Sequence, residues 1–274
     1  MRARDAAAEA ARALAAAGVE EPRFEAEYLA RTVAGVSRAA YFAGAELPAE
    51  RVAGFRELVL RRTQREPAAY LVGHREFRGL DFAVGPGVLV PRPETELLVD
   101  LALGETPPDG GRLDVIDVGT GSGCVAVSVA IEAPGARVIA TEVSDVAIEV
   151  ARRNALALGA NVAFVKGDLA TAVARADVVL ANLPYIPSTE VAALQPEVSG
   201  WEPAVALDGG TDGLELVRRL VHDCATRLRP RLLALEVGYG QARAVAEYVT
   251  QCGASASLVR DFGGIDRVVC ARWR

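Results

Sequence analysis

The apolar positions follow two rhythms along the chain. Over roughly the first 70 residues they recur at steps of three and four. Phe24, Tyr28, Leu29, Val33 and Val36 fall on one helical face, and Val52, Phe55, Val59 and Arg62 on another, with Pro48 where a helix would start. This spacing predicts a small helical bundle. Between Glu76 and Pro93, short β-like runs (Phe77, Leu80, Phe82, Val84, then Val88 to Val90) are broken by Gly79, Gly85, Pro86 and Gly87, which predicts a hairpin. Glu94-Thr95-Glu96 then opens a helix. From Leu113 onward, strands alternate with helices. The predicted strands are Leu113–Val118, Arg137–Val143, Val162–Lys166, Val178–Ala181, Leu232–Val237, Ser255–Val259 and Arg267–Ala271. The predicted helices are Cys124–Ala133, Val146–Leu158 and Leu214–Arg227. Such alternation builds a mostly parallel sheet covered on both faces. The last two strands are joined by Arg260 to Gly264, too short for a helical crossover, so they pair antiparallel.

Composition narrows the class. With 274 residues, 51% hydrophobic and 24% charged, the chain suits one large domain or two unequal ones. The longest weakly polar stretch, Val118 to Ile131, holds three Gly, two Ser and a Thr. It falls short of the ~18–20 apolar residues of a membrane span. The first residues carry charge and alanines without an apolar core, so the expectation is a cytoplasmic chain without a signal peptide or membrane association. Cys124, Cys224, Cys252 and Cys270 are far apart and there are two His, which points away from structural zinc, any other metal and a disulfide framework. A net charge of −6 argues against broad nucleic-acid binding.

The candidate chemistry sits at strand ends. Asp117-Val118-Gly119-Thr120-Gly121-Ser122-Gly123-Cys124 ends the first strand of the sheet and opens a helix. Glycines there admit a close ligand, and a helix N-terminus offers free N–H donors. The spacing is neither that of a nicotinamide loop nor that of a P-loop. Glu142 ends the next strand, where a carboxylate can accept both hydroxyls of a ribose. These features alone suit a nucleotide-like ligand or a structural turn. Asp168-Leu169 ends the third strand, placed either to meet an adenine ring or, through Asp168, to cap a helix. Asn182-Leu183-Pro184-Tyr185 follows the fourth strand directly. The Asn182 oxygen and the Leu183 carbonyl can accept both protons of a primary amine or amide, with Tyr185 packing on the planar group. A plain turn is the alternative.

Together these motifs resemble the class I S-adenosylmethionine-dependent methyltransferases that act on planar NH₂ groups. Further segments narrow the likeness. Glu66 to Gly73, Glu76-Phe77, Val90 to Glu96, Trp201 to Gly213, Leu235 to Gln241 and Asp261 to Arg267 are similar to those of the protein-glutamine methyltransferases known as HemK or PrmC. The resemblance covers nearly the whole chain in order. It implies an α/β, Rossmann-like methyltransferase domain over 93–274, with a seven-stranded, mostly parallel sheet and an antiparallel C-terminal hairpin. A β-hairpin linker over 73–92 and an all-α bundle over 1–72 that recognises the substrate would precede it.

The resemblance further implies transfer of a methyl group from S-adenosylmethionine to the side-chain amide nitrogen of the glutamine in the Gly-Gly-Gln motif of class I peptide-chain release factors. The expected enzyme is a monomer with no direct nucleic-acid partner. Gly119, Thr120, Gly121, Ser122 and Gly123 would hold the methionine and ribose parts of the cofactor and Glu142 the ribose hydroxyls. Asp168 and Leu169 would border the adenine, with Asn182 also touching the cofactor. Asn182, Leu183, Pro184 and Tyr185 would grip the glutamine, with Asn182, Pro184 and Tyr185 as the catalytic set. Two alternatives remain: a glutamine of a ribosomal protein, or an exocyclic amine of ribosomal RNA. The latter draws on Leu183, since the family usually reads Asn-Pro-Pro-Tyr and Asn-Leu-Pro-Tyr also occurs in ribosomal-RNA adenine dimethyltransferases. Arg92 either meets a cofactor carboxylate or braces the linker. Glu94 and Glu96 read as helix N-terminal charges, His74 and His222 as structural, and Trp201 and Glu202 as flanking the entrance. Arg61, Arg62 and Arg65 read as a solvated basic face or a partner contact.

Overall fold

A computed structural model describes residues 1–107 and 111–273. The chain forms two compact units, one of residues 1–74 with 195–201 and the other of residues 75–194 with 202–274.

The first unit is built from α1 (Ala3–Ala16), α2 (Pro22–Ala34), α3 (Arg38–Phe42), α4 (Val52–Thr63) and α5 (Ala68–Val72). Its core is largely alanine. Ala3, Ala6, Ala7, Ala10 and Leu14 of α1 and Ala26, Leu29, Ala30 and Ala34 of α2 are buried in one cluster with Phe55. Small side chains let helix backbones approach closely, so the inner stripe of α2 lies over its alanines. Phe24, expected on that face, is 54% exposed. Val36 lies beyond the helix, which Gly35 ends at φ +70°. Arg62, which shares the spacing of Phe55, is buried with it.

The basic face, however, is not a solvated surface. Arg62 is 2% exposed and clamps Glu25 (2.5 and 3.1 Å) and Glu197 (2.7 Å). Arg65 also reaches Glu197 (2.6 Å), and Arg61 pairs with Glu66 (2.5 Å). Glu197 belongs to α9 (Pro196–Ser199), a segment from far along the chain that no local pattern could assign to this unit.

In the second unit, β1 (His74–Phe77) and β2 (Leu80–Ala83) form the expected hairpin, whose Phe77 and Phe82 are buried. A 3₁₀ turn over Pro93–Thr95 leads into α6 (Glu96–Gly104). The main sheet holds β3 (Leu113–Val118), β4 (Ala136–Glu142), β5 (Val162–Lys166), β6 (Val178–Ala181), β7 (Leu232–Glu236), β8 (Ser255–Arg260) and β9 (Asp266–Arg272). Its order is β5-β4-β3-β6-β7-β9-β8, parallel except that β9 runs antiparallel to β7 and β8. Every residue of β3, β6 and β7 is buried, as central parallel strands covered on both faces must be.

The covering helices are α7 (Cys124–Glu132), α8 (Asp145–Leu158), α10 (Glu215–Asp223) and α11 (Ala242–Gln251). The chain stays helical past α10 as a wider-wound π turn over Cys224–Leu228, slightly beyond the predicted end. No pattern predicted α11. Its buried face is only Ala242, Val245 and Val249, a narrow stripe among Arg, Glu and Gln. The strand order reverses at β3 and β6, and ligands of open α/β sheets bind above such a reversal.

Candidate functional site

Above that reversal lies a cleft of about 300 Å³, walled mainly by apolar groups. The loop after β3 supplies Gly119 to Ser122, β4 supplies Glu142, the β5 end supplies Asp168 and Leu169, and the β6 end supplies Asn182 to Pro184. The structure thus brings together the residues singled out at four strand ends, except Gly123 and Tyr185, which do not line the cleft. Gly123 caps α7 at φ +83°, and a Cβ there would meet the Ala151 Cβ of α8 at 3.0 Å. Its glycine serves helix packing.

The loop is held by groups that sequence reasoning did not single out. Asp117, within β3, accepts from the Thr120 hydroxyl (2.6 Å) and from the Ala126 amide in the first turn of α7 (3.1 Å). Burial pushes its carboxyl up to about 6 despite those bonds. Asn154 of α8 donates to the carbonyls of Ser122 (2.8 Å) and Ala83 (3.0 Å) and accepts from the Ala83 amide (2.8 Å), tying the loop to β2. Glu142 is equally fixed. Its Oε1 accepts from the amides of Val143 (2.8 Å) and Ser144 (3.0 Å), and its Oε2 from Gly121 (3.1 Å). A carboxylate oxygen has two lone pairs, so Oε2 keeps one acceptor site.

At the rim, the Asp168 carboxylate pairs with Arg219 of α10. Its backbone carbonyl accepts from Thr171, and no helix follows for it to cap. Leu169 is buried at φ +51° against the apolar core.

The strand-end motif after β6 is backed by the Gly209 to Gly213 loop. A Cβ on Gly213 (φ +75°) would lie 2.2 Å from the Tyr185 carbonyl oxygen. Gln241 clamps the same point, donating to that oxygen (2.8 Å) and accepting from the Gly238 amide (2.8 Å). Leu183 is 4% exposed and packs on Gly119, so the departure from the usual proline fills a core position. Asn182 donates through Nδ2 to the Thr95 hydroxyl oxygen (3.0 Å). Tyr185 is half-buried, and burial followed by nearby Glu236 pushes its phenol up.

Arg92 lines the cleft but braces the linker, pairing with buried Glu202 (2.7 Å), which also accepts from the Val90 amide (3.1 Å). Burial raises the Glu202 carboxyl, with Arg92 opposing.

The donor set fits S-adenosylmethionine. Cys124 and Val125, the first residues of α7, bring a helix N-terminus to the cleft. Glu142 keeps an acceptor for a hydroxyl, and Leu169 and Val143 offer apolar wall to a flat ring. A Cβ on Gly121 would meet nothing within 4 Å, so its backbone is open to a ligand.

Comparison with known proteins agrees. The PrmC N-terminal domain family matches residues 5–73, and the methyltransferase small domain family matches residues 95–195. The release factor glutamine methyltransferase of Geobacter sulfurreducens is 42% identical over 265 residues, covering 94% of this chain and 92% of that protein. The Moorella thermoacetica enzyme of the same name is 41% identical over 277 residues, covering 98% and 97%. Among solved structures, a Pyrococcus furiosus methyltransferase superposes with a TM-score of 0.54 at 21% identity, covering 79% of this chain and 96% of that one. That last likeness speaks for the fold alone. Relatives this similar, matched from the helical bundle to the final hairpin, leave one conclusion: the chain belongs to the release factor glutamine methyltransferase family.

Proposed function

We propose that the protein methylates the side-chain amide nitrogen of the glutamine in the Gly-Gly-Gln motif of class I peptide-chain release factors, with S-adenosylmethionine as donor. The observation that carries this reading is the placement of Asn182 beside the glycine loop in one cleft, backed by near full-length relatives with that activity in their names. Within it, Gly119 to Ser122 and the start of α7 cradle the amino-acid end of the donor. Glu142 takes one ribose hydroxyl through Oε2, and Leu169 and Asp168 border the adenine. Gly123 supports the loop from behind. The bound donor supplies an electrophilic methyl on a sulfonium centre.

An amide nitrogen is a poor nucleophile because its lone pair is delocalised into the carbonyl. The protein's task is to orient that nitrogen and favour its rehybridisation. Asn182 Oδ1 and the Leu183 carbonyl accept its two protons, which directs the lone pair away from both. As positive charge develops on nitrogen these hydrogen bonds strengthen, which is the differential stabilisation that accelerates a step. Holding the reactants in line contributes further. Pro184 restricts the backbone presenting the carbonyl, and Tyr185 buttresses the motif through Gln241. The surplus proton leaves after transfer, so no strong base is required at the nitrogen.

No helix among the described residues is long and apolar enough to cross a membrane. We read the enzyme as a cytoplasmic monomer acting on protein, consistent with its net charge of −6. The test is transfer of labelled methyl to purified release factor, to its Gln→Ala motif variant and to ribosomal RNA in parallel. Label on the intact factor alone is expected; label on RNA alone overturns the substrate assignment.

A further inference from the structure

Glu236 ends β7 inside the protein, 2% exposed, and its Oε2 is buried without a hydrogen-bond partner. A buried carboxyl with an orphaned oxygen costs free energy that an apolar residue would avoid, so its presence calls for a reason. Beside its carboxyl lies the Thr95 hydroxyl, and Thr95 Oγ1 accepts from Asn182 Nδ2 at 3.0 Å. Thr95 is itself 3% exposed, so water does not compete for this chain of contacts.

We propose that Thr95 and Glu236 are positioning residues that set which end of the Asn182 amide faces the substrate. The proposal rests on the reading of Asn182 given above. The logic follows from donor counting. An ionised Glu236 only accepts, so the single O–H of Thr95 is committed to it. Thr95 then offers Asn182 only a lone pair, and Asn182 must answer with Nδ2. Oδ1 is thereby left for the cleft, where it accepts a proton of the target amide. Protonating Glu236, or replacing it with a donor, releases the Thr95 O–H. Asn182 is then free to turn Oδ1 toward Thr95 and to present its NH₂ to the target NH₂, donor against donor.

Five other ionisable groups act on Glu236 or are acted on by it: Arg267 of β9, Arg92 and Glu94 ahead of α6, Cys124 of α7 and Tyr185. Burial outweighs the favourable effects of Thr95 and the arginines and pushes the Glu236 carboxyl up to about 7. The relay therefore switches near neutral pH, with the active polarity on the alkaline side.

The test measures single-turnover methyl transfer to release factor, with donor affinity and thermal midpoint, in the full-length protein. Thr95→Val should lose roughly 10- to 100-fold in rate with donor affinity unchanged, and Thr95→Ser should recover most of it. Wild-type turnover should rise with pH through about 7, and Glu236→Gln should be slow and lack that limb. Glu236→Gln should also hold or gain thermal midpoint at pH 8, whereas a merely structural Glu236 would lose stability and rate together. Full turnover in Thr95→Val, or equal losses in Thr95→Val and Thr95→Ser, overturns the proposal. If either threonine variant fails to fold, the wild-type and Glu236→Gln pH profiles decide, and matching profiles refute it. Absence of label with wild-type enzyme would instead strike the substrate assignment.

Discussion

Replacing Asn182 with alanine probes the chemistry most directly. Among the described residues the side chain hydrogen-bonds Thr95, from Nδ2 at 3.0 Å, which leaves Oδ1 for the substrate amide. Truncation removes the acceptor but leaves the Leu183 backbone carbonyl, so one of two proton acceptors survives. Loss of one contact that strengthens in the transition state costs about 2–4 kcal/mol, or roughly 30- to 1,000-fold in the rate of the chemical step. The neighbouring Leu183 remains packed on Gly119, so the cleft wall and the donor's affinity should be preserved. The assay is single-turnover transfer from labelled S-adenosylmethionine to release factor, with donor affinity measured separately by calorimetry. Asn182→Asp serves as a shape control, since it fits the same space but has no amide proton for Thr95. A near-normal rate in Asn182→Ala with intact donor binding would refute the amide-grip reasoning.

Other consequences can be measured independently. Asp117 and Glu236 are pushed up to about 6 and about 7, so the folded protein holds these protons more tightly than the unfolded chain. Stability against urea should fall as pH rises from about 4 through 7, by roughly 3 kcal/mol per group, and Asp117→Asn and Glu236→Gln should each flatten the profile. An unchanged slope in both variants would mean that neither carboxyl is desolvated. Carboxyls held low, such as Glu197, where Arg65 and Arg62 outweigh burial, lose their contribution only at more acidic pH and do not confuse this window. Gly213→Ala should destabilise by about 2–4 kcal/mol, combining left-handed backbone strain with overpacking on Tyr185. Gly240→Ala, at φ +81° with nothing within 4 Å of its Cβ, should show the backbone cost of about 1–2 kcal/mol alone. Arg62→Ala should cost about 3–5 kcal/mol in chemical denaturation, because Glu25 and Glu197 lose a buried partner. Arg61→Ala, at a pair whose Arg is 43% exposed, should stay within ~1 kcal/mol; equal losses would show that burial does not separate them.

The opposite signs of two pH effects follow from one group. Protonated Glu236 favours the folded state, whereas the ionised form is the one that gives Asn182 its working polarity. Acid therefore strengthens the fold around the site while weakening its function, down to the pH at which the carboxyls held low begin to protonate.

Local pattern was enough to place the seven strands of the main sheet, four of them with ends off by one residue. The periods of two and 3.6 report burial within a few residues, so Leu113–Val118, Val162–Lys166 and Val178–Ala181 were legible to the residue. The glycine loop, Glu142, Asp168 and Asn182 were legible because a polar or glycine cluster directly after a buried strand lies at the sheet's carboxyl edge, where ligands of α/β folds bind. The same reasoning missed α11, whose apolar stripe is three residues wide, and misplaced Phe24, because α2 packs through alanines. Tertiary structure alone decided what holds the site. Thr95 meets Asn182 across 87 positions, Asn154 meets Ala83 across 71, and Glu202 meets Val90 across 112. It also assigned Gly123 to helix packing and Glu197 to the bundle. A side chain's sequence neighbours set its periodicity. Its hydrogen-bond partners are set by where the chain returns, and no local spacing records that.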